Sequence, residues 1–350
     1  NNCSVTVEVE LTEPEEFEVY WGWDDAGCYG EMGAIDIYIS EGTGALPYTV
    51  SYTGPNWLYF DWSEGFNGPA EPGMYDITVS DANGCQWNTT IEIQEPELLE
   101  ISATTIDYSG YGVSCNGASD GEIAIDVTGG WDWSYTMINW ESDNGSSGNE
   151  NDLSGLAAGT YTITVLQEYW GMFDVSICEA SITVEITEPA EMTISEVHSD
   201  YTGFGVSCNG ASDGSIDVTV TGGAGVYTYT WTGVDADGPS VDGLSAGTYS
   251  VVVEDENDCS VTIEVDLTEP DELLILYSQS DFNGYGVSCN GASDDAASDG
   301  SIDVTVAGGV GIYTYNWTGI DADGPSVSGL AAGTYSVVVE DENGCEVSIL

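Results

Sequence analysis

The chain has 350 residues with 62 acidic side chains, one histidine, and no lysine or arginine. Because proteins neutralise phosphate groups with Lys and Arg, this composition excludes nucleic acid and direct binding to anionic membranes. The remaining partner classes are cations, neutral polymers such as glycans, and the surfaces of other proteins.

The first segment of the chain is repeated later. CSVTVEVELTEP at residues 3–14 matches CSVTIEVDLTEP at residues 259–270. We therefore predict that residues 1–14 form the last strand of a truncated preceding repeat. Glu-Pro pairs then recur at intervals of roughly 80 to 95 residues, as expected for an array of small domains. They divide the chain into four predicted repeats: residues 15–96, 97–189, 190–270 and 271–350, the last with a truncated final strand.

Within the third repeat the apolar residues alternate with polar ones, as a half-buried antiparallel strand requires. Residues 215–220 read S-I-D-V-T-V, residues 226–231 read VYTYTW, and residues 248–253 and 260–267 flank a DENDC turn. No segment of the chain has a helical period. We predict an all-β chain of tandem immunoglobulin-like β-sandwich domains. The short Glu-Pro junctions predict that these domains form an extended rod.

A Gly-Thr-Tyr motif precedes one strand in several repeats. GLAAGTY stands at residues 155–161 and 329–335, and GLSAGTY at residues 243–249. The position fits a tyrosine corner, in which the hydroxyl group anchors the chain just before a strand. The predicted corner residues are Tyr75, Tyr161, Tyr249 and Tyr335.

Each repeat contains one early and one late cysteine, and Cys3 is the ninth. This regularity indicates an oxidising compartment and a disulfide in every domain. Cys3 is predicted to lack a partner within the chain. The predicted pairs are Cys28 with Cys85, Cys115 with Cys178, Cys208 with Cys259, and Cys289 with Cys345.

The order of motifs in the third repeat, SCNGASDGSIDVTVTGG, YTYTWTG, GLSAGTYSVVVEDENDC and TEP, resembles the SprB-type repeat. This repeat occurs in very large adhesins of gliding bacteria, which are exported by type IX secretion. The similarity is tightest in the third and fourth repeats, good in the second, and loose in the first. The resemblance implies immunoglobulin-like sandwiches, a secreted or cell-surface location, a role in adhesion or gliding motility, and no catalytic residues.

Two acidic loops are candidates for calcium binding. DADG occurs at residues 235–238 and 321–324, and its two carboxylates suit a hard cation. Turns rich in Asp and Gly also form for backbone reasons alone, and the further acids of an EF-hand loop are missing. We expect no cofactor apart from calcium at these loops. The candidate ligands are Asp235, Asp237, Asp321 and Asp323.

The tryptophans are concentrated in the first two repeats. Trp231 and Trp317, in the aromatic strands of the last two repeats, are predicted to lie in the core. Exposed tryptophans would suit stacking on glycans or contact with a protein, whereas the alternative is packing in the core or at domain junctions. The predicted binding surface consists of Trp21, Trp23, Trp57, Trp62, Trp131 and Trp133.

These features predict a non-catalytic stalk segment of a large extracellular adhesin, which provides reach, force transmission and surface attachment. Its partners would be glycans, other surface proteins or copies of itself. One alternative is a subunit of a self-assembling extracellular filament or sheath. Another is a glycan-binding accessory region of a secreted enzyme. No nucleophile motif surrounds His198, so a catalytic triad is not expected.

Overall fold

The computed structural model describes residues 4–13, 18–40, 44–58, 66–132, 134–289 and 298–349. The regular elements in these ranges are all β-strands, and they pair in antiparallel sheets. No helix in the described ranges is long and apolar enough to cross a membrane. The predicted fold class, tandem immunoglobulin-like β-sandwiches, is confirmed.

The first repeat contains two three-stranded sheets. Its strands are β1 (Val19–Asp24), β2 (Gly33–Ile39), β3 (Thr49–Thr53), β4 (Phe66–Ala70), β5 (Gly73–Ser80) and β6 (Gln86–Ile93). The sheets have the strand orders β1-β2-β4 and β3-β5-β6. Their facing sides bury a core that includes Ile35, Ile77 and Ile91.

The second repeat has one additional short strand. Its strands are β7 (Glu97–Thr105), β8 (Gly121–Gly130), β9 (Tyr135–Ser142), β10 (Ser147–Gly148), β11 (Asp152–Leu156), β12 (Gly159–Trp170) and β13 (Val175–Ile186). The sheet orders are β11-β8-β7 and β10-β9-β12-β13. Strands β12 and β13 have 12 residues each, whereas β5 and β6 have 8, so the late hairpin of this repeat is longer.

The third and fourth repeats have the same topology as each other. The third contains β14 (Thr193–His198), β15 (Gly214–Thr221), β16 (Thr228–Thr232), β17 (Ser240–Leu244), β18 (Gly247–Glu254) and β19 (Ser260–Leu267). The fourth contains β20 (Leu274–Gln279), β21 (Gly300–Ala307), β22 (Thr314–Thr318), β23 (Ser326–Leu330), β24 (Ser336–Glu340) and β25 (Glu346–Ile349). The sheets are β14-β15-β17 with β16-β18-β19, and β20-β21-β23 with β22-β24-β25.

The predicted core and corner residues take the expected roles. Trp231 and Trp317 are buried, and their indole N–H groups donate to the carbonyl oxygens of Gly238 and Gly324, both at 2.9 Å. The tyrosine corners are confirmed, since each hydroxyl donates to the carbonyl oxygen four residues upstream. The pairs are Tyr75 with Glu71, Tyr161 with Ala157, Tyr249 with Ser245, and Tyr335 with Ala331.

Residues 4–13, which match β19 in sequence, form no strand. Their apolar side chains are exposed, and Leu11 has 93% of its surface accessible.

The chain divides into two compact units. The first consists of Asn1–Asp107, Tyr111–Val113 and Gly117–Thr187, and the second of Tyr108–Gly110, Ser114–Asn116 and Glu188–Leu350. The boundary passes through the loop that precedes β8, so parts of this loop belong to the second unit. The four repeat boundaries remain predictions.

Candidate functional site: the inter-repeat clasps

The late turn of a repeat, defined as residues 81–85, 255–259 or 341–345, is built around a buried aspartate. In the third repeat the Asp255 carboxylate accepts the N–H groups of Asn257 at 2.9 Å, Cys259 at 3.0 Å and Ala224 at 2.7 Å. Asp341 and Asp81 make the equivalent bonds in their own repeats. The motif Asp-x-Asn-x-Cys therefore has one conformation, which presents the asparagine and cysteine side chains together.

In the first repeat these backbone hydrogen bonds also change the acidity of Asp81. The N–H group of Ala45 makes the largest contribution to lowering the pKa of Asp81 below its ordinary value. The carboxylate is therefore ionised across the physiological range, and it holds the turn closed.

The early loop, defined as residues 108–115, 201–208 or 282–289, has an equally fixed backbone. Ser109, Thr202 and Asn283 have φ angles of 52°, 53° and 51°, in the left-handed region. A carboxylate holds the other end of the loop, because Asp213 and Asp299 accept the N–H groups of Ser207 and Ser288, each at 3.1 Å. The hydrogen bonds from these serines lower the pKa of both carboxyl groups.

The early loops of the second and third repeats lie beside the end of the last strand of their own repeat. The N–H groups of Gly205 and Val206 donate to the carbonyl oxygen of Thr268, one residue after β19. Asn209 donates from Nδ2 to the carbonyl oxygen of Pro270 at 3.1 Å, which ties the loop to the Glu-Pro junction. The early loop and the late turn of one repeat therefore lie at opposite ends of the same strand.

This geometry overturns the predicted disulfide pairs. The early cysteine of one repeat bonds to the late cysteine of the following repeat, so the within-repeat pairing is wrong. A strand of 8 residues separates the two cysteines of a repeat by about 26 Å, whereas a disulfide needs Cα atoms within about 7 Å. The disulfides in the structure are Cys28–Cys178, Cys115–Cys259 and Cys208–Cys345, with Cα–Cα distances of 5.5, 5.7 and 5.7 Å.

The two disulfides of the second unit are accompanied by the same set of polar contacts. The Asn343 side-chain amide donates to the carbonyl oxygens of Tyr201 and Ser207, both at 3.1 Å, and accepts from Thr202 Oγ1 at 2.8 Å. The Asn257 amide makes the same three bonds with residues 108, 114 and 109. We call this combination of late turn, early loop, asparagine and disulfide a clasp.

The clasp asparagine is a functional residue that the sequence reasoning missed. In the sequence it was interpreted only as part of a turn signal. Its recurrence at the third position of the Asp-x-Asn-x-Cys motif, as Asn83, Asn257 and Asn343, was the available sign of a second role.

The disulfide of the first unit has different neighbours. The buried Asp24 carboxylate accepts the N–H groups of Met172 and Phe173, the latter at 2.6 Å. The indole N–H of Trp131 is shared between the carbonyl oxygens of Ala26 and Gly27, each at 3.2 Å. The Trp131 ring also stacks on Tyr169, with ring centroids 5.7 Å apart. An indole N–H therefore binds the carbonyl group that precedes the early cysteine, which an asparagine amide binds in the clasps of the second unit.

Two cysteines predicted to be bridged have no disulfide. Cys85 and Cys289 are free and exposed, whereas Cys259 and Cys345 are buried. Cys3 lies outside the described residues. The late turn of the first repeat and the early loop of the fourth thus retain their fixed backbones without the partner that occupies the equivalent positions elsewhere.

The predicted tryptophan surface is only partly assembled. Trp21 and Trp23 stack with ring centroids 5.3 Å apart on one face of β1, and 43% and 40% of their surfaces are exposed. Trp57 is 94% exposed, while Trp131 belongs to the disulfide region described above. Trp62 and Trp133 lie outside the described residues. A binding role for these side chains stays a prediction.

The predicted calcium ligands lie on exposed loops. In each DADG loop the alanine packs against the core and the glycine carbonyl accepts the tryptophan N–H, so the fold itself accounts for these two positions. Within the described ranges, no group of three or more His, Cys, Asp or Glu side chains is arranged to hold a metal ion. Calcium binding stays a prediction. The four exposed carboxylates are Asp235, Asp237, Asp321 and Asp323.

The SprB repeat family matches three segments, residues 113–136, 206–236 and 287–322. The resemblance predicted from the sequence is therefore confirmed for those segments. A search of the curated proteins found no match.

Solved structures with low similarity cover most of the chain. A tetra-tandem repeat in the extending region of a large adhesion protein has 12% identity and a TM-score of 0.31, over 95% of this chain and 97% of its own. Extracellular cadherin domains 3–6 of protocadherin gamma B2 have 11% identity and a TM-score of 0.28, over 95% and 98%. The insect immune protein hemolin has 11% identity and a TM-score of 0.24, over 96% and 98%. Because these values are low, no function is transferred from those proteins.

The disulfides indicate the compartment in which the SprB segments occur. Structural disulfides persist in oxidising compartments, and the matched repeats lie in the same part of the chain as the disulfides. The chain contains SprB repeats in these three segments and belongs to a secreted or cell-surface protein.

Proposed function

We propose that the chain is a non-catalytic stalk segment of a large extracellular adhesin, and that it transmits force between a cell surface and an attachment site. The observation that carries this proposal is the overlap of the three disulfides along the sequence. Cys115 lies inside the loop closed by Cys28–Cys178, and Cys208 lies inside the loop closed by Cys115–Cys259. Gliding motility and type IX secretion belong to this proposal through the SprB resemblance.

The overlap determines which covalent bonds bear a load. A force applied across the chain passes from Cys28 to Cys178 through the first disulfide, along the backbone to Cys208, and to Cys345 through the third disulfide. Roughly 30 residues between Cys178 and Cys208 then bear the load, and they extend to about 100 Å at most. Unfolding of the remaining residues between Cys28 and Cys345 adds no length. A stalk with this topology keeps its reach even when its domains open.

Single-molecule force spectroscopy tests this topology, with attachment handles at both ends of the chain. Reduction of the disulfides should release the 150 and 137 residues closed by the first and third bridges, which adds roughly 1,000 Å of contour length. The oxidised chain should show none of this extension. An oxidised chain that extends to its full contour length would contradict the proposal.

The middle disulfide provides a matched control. It lies off the shortest load path, so the double variant C115S/C259S should keep the short extension of the oxidised wild type. The variant C208S/C345S removes a bridge from that path and should extend much further. Equal extensions of the two variants would show that the load does not follow the path described.

A further inference from the structure

We propose that the outer face of the β12–β13 hairpin in the second repeat is a docking surface for a basic protein segment, in which Lys or Arg side chains accompany apolar ones. This inference goes beyond the stalk function and does not rest on it, because it assigns a partner to one particular repeat. We call this face the hairpin patch. Its apolar side chains are Tyr135, Met137, Leu166, Trp170, Val175 and Ile177.

The strand register places these side chains on one face. Directly opposed residues of an antiparallel pair lie on the same side of the sheet, and so do residues two apart along one strand. The opposed pairs are Leu166 with Met137, Glu168 with Tyr135 and with Ile177, and Trp170 with Val175. Glu168 therefore lies at the centre of the patch.

The patch is exposed although most of its side chains are apolar. Tyr135 and Trp170 are each 67% exposed, and Ile177 is 58% exposed. The alternate residues of β12, which include Gln167 and Tyr169, are buried on the inner face. Contiguous apolar side chains in water cost free energy, and on soluble proteins they mark interaction sites. The core of the sandwich does not use these side chains, so we infer that another molecule contacts them.

The other three repeats carry polar residues at the equivalent positions. The residue opposite the late cysteine is Gln167 in the second repeat and Asp255 in the third, so Leu166 corresponds to Glu254. The pairs equivalent to Leu166 with Met137 are Ser80 with Thr49, Glu254 with Thr228, and Glu340 with Thr314. The sandwich fold thus needs no apolar side chain here, and the patch is a special feature of the second repeat.

The hairpin is held in place from its other side. At its tip the N–H groups of Met172 and Phe173 donate to the buried Asp24 carboxylate of the first repeat, the latter at 2.6 Å. Nearer the core, the Tyr169 ring stacks on Trp131. The patch is therefore preorganised, and a partner that binds it loses little free energy in ordering the hairpin.

The charges of the patch select the partner. Glu168 lies at its centre, Glu179 lies opposite Leu166, and the whole chain has 62 acidic side chains and no Lys or Arg. A partner's Lys or Arg pairs with a carboxylate, and it is also attracted to the ring faces of Tyr135 and Trp170. A second copy of this chain brings no cation and adds like charge. The aliphatic side chains offer a glycan no hydrogen bonds. The occupant that fits is a basic, partly apolar segment of another protein.

The experiment selects peptides from a phage-displayed library of random sequences on the oxidised full chain. Parallel selections use a patch variant, Met137→Thr with Leu166→Ser and Ile177→Thr, and a control variant, Leu274→Ser with Leu276→Thr. The first two patch changes introduce the residue types of the first repeat, so the melting temperature should be retained. The control removes exposed leucines from β20, outside the patch.

Peptides enriched on the wild type and the control, but not on the patch variant, should combine Lys or Arg with apolar residues. A synthetic peptide of the most enriched sequence should bind the patch variant about tenfold more weakly than the wild type, as expected for loss of a central contact. Glu168→Gln should weaken binding several-fold and reduce its dependence on salt.

Equal enrichment on the wild type and the patch variant, or no enrichment on either, would overturn the proposal. Equal enrichment would show that the peptides respond to the diffuse negative charge alone. Enriched peptides without Lys or Arg would also overturn it, and so would a wild-type chain that forms dimers through the patch in analytical ultracentrifugation. None of these substitutions alters a disulfide, so the force-extension test of the stalk is decided independently.

Discussion

The disulfide Cys28–Cys178 of the first unit and the disulfide Cys208–Cys345 of the second follow one pairing rule but have different surroundings. In the first unit, Trp131 donates one N–H to the carbonyl oxygens of the two residues that precede Cys28. In the second, the Asn343 amide donates two N–H groups to two carbonyl oxygens. The covalent bond constrains the distance and orientation of the two cysteines and not the residues around them. The neighbouring contacts can therefore change between repeats while the covalent topology stays the same.

The largest expected difference between these regions concerns stability. Trp131→Ala removes the ring that stacks on Tyr169, and we expect a loss of about 3 kcal/mol in the local free energy of opening. Asn343→Ala leaves two carbonyl groups without their donor, and we expect a loss of about 1 to 2 kcal/mol. Native-state hydrogen exchange measures both values, because it reports opening segment by segment.

The two variants should lose protection from hydrogen exchange in different strands. The Trp131 variant should lose protection in β12 and β13, and the Asn343 variant in β24 and β25. A Trp131 variant with unchanged protection would show that the disulfide and the Asp24 contacts suffice to hold the first unit.

The second prediction concerns recognition, since among the described residues the stacked tryptophan pair lies in the first unit. Trp21→Ala together with Trp23→Ala should weaken binding to a glycan ligand by about 1 to 3 kcal/mol, as expected for loss of an aromatic anchor. Glycan-array binding of the wild type and the variant provides the measurement. Trp170→Ala, at a position that is 67% exposed and outside the pair, is the matched control.

Equal glycan binding by the double variant and the control would show that the tryptophan pair of the first repeat is not a glycan-binding surface. A melting temperature that falls sharply in the double variant alone would instead assign the pair to packing.

The smallest expected effect is a difference in pH response. Burial is the main cause of the raised pKa values of Asp25 and Asp36 in the first unit. Folding therefore takes up protons at these groups, so stability should rise as the pH falls from 7 through their folded pKa values toward 3.8. Hydrogen bonds from serines lower the pKa values of Asp213 and Asp299 in the second unit. Their contribution is present above pH 3.8 and is lost as the pH falls through their folded pKa values.

Thermal melts between pH 7 and pH 3 test these two opposite effects of pH on stability, with one variant from each unit. Asp25→Asn should reduce the gain in melting temperature between pH 7 and pH 4. Asp213→Asn should reduce the loss below pH 3.8 and leave the upper range unchanged. A wild-type chain that loses stability steadily from pH 7 would show that hydrogen-bonded carboxylates dominate in both units.

Local sequence patterns accounted for much of the fold. The alternation in residues 215–220 predicted β15, because a strand with one buried face repeats every two residues. The Gly-Thr-Tyr motif predicted the tyrosine corners, because the hydroxyl group reaches a carbonyl only four residues away. These features depend on neighbours in the sequence, and so the sequence contains the information needed to predict them.

The same sequence did not predict how the cysteines pair. One early and one late cysteine in each repeat are compatible with bridges within a repeat and with bridges to the next repeat. Which of these pairings forms depends on where the two ends of each strand lie in the folded structure. Strand β19 carries Cys259 away from the early loop of its own repeat, whereas Cys115 of the preceding repeat approaches to 5.7 Å between Cα atoms.

The sequence by itself determined that this chain is acidic and all-β, with SprB repeats at residues 113–136, 206–236 and 287–322, because periodicity and composition are properties of the chain alone. The tertiary structure decided which repeat each bridged cysteine binds and which asparagines close a clasp. The physical reason is that a disulfide forms only between cysteines within a few ångströms, a distance that the folded sandwiches set and residue spacing does not.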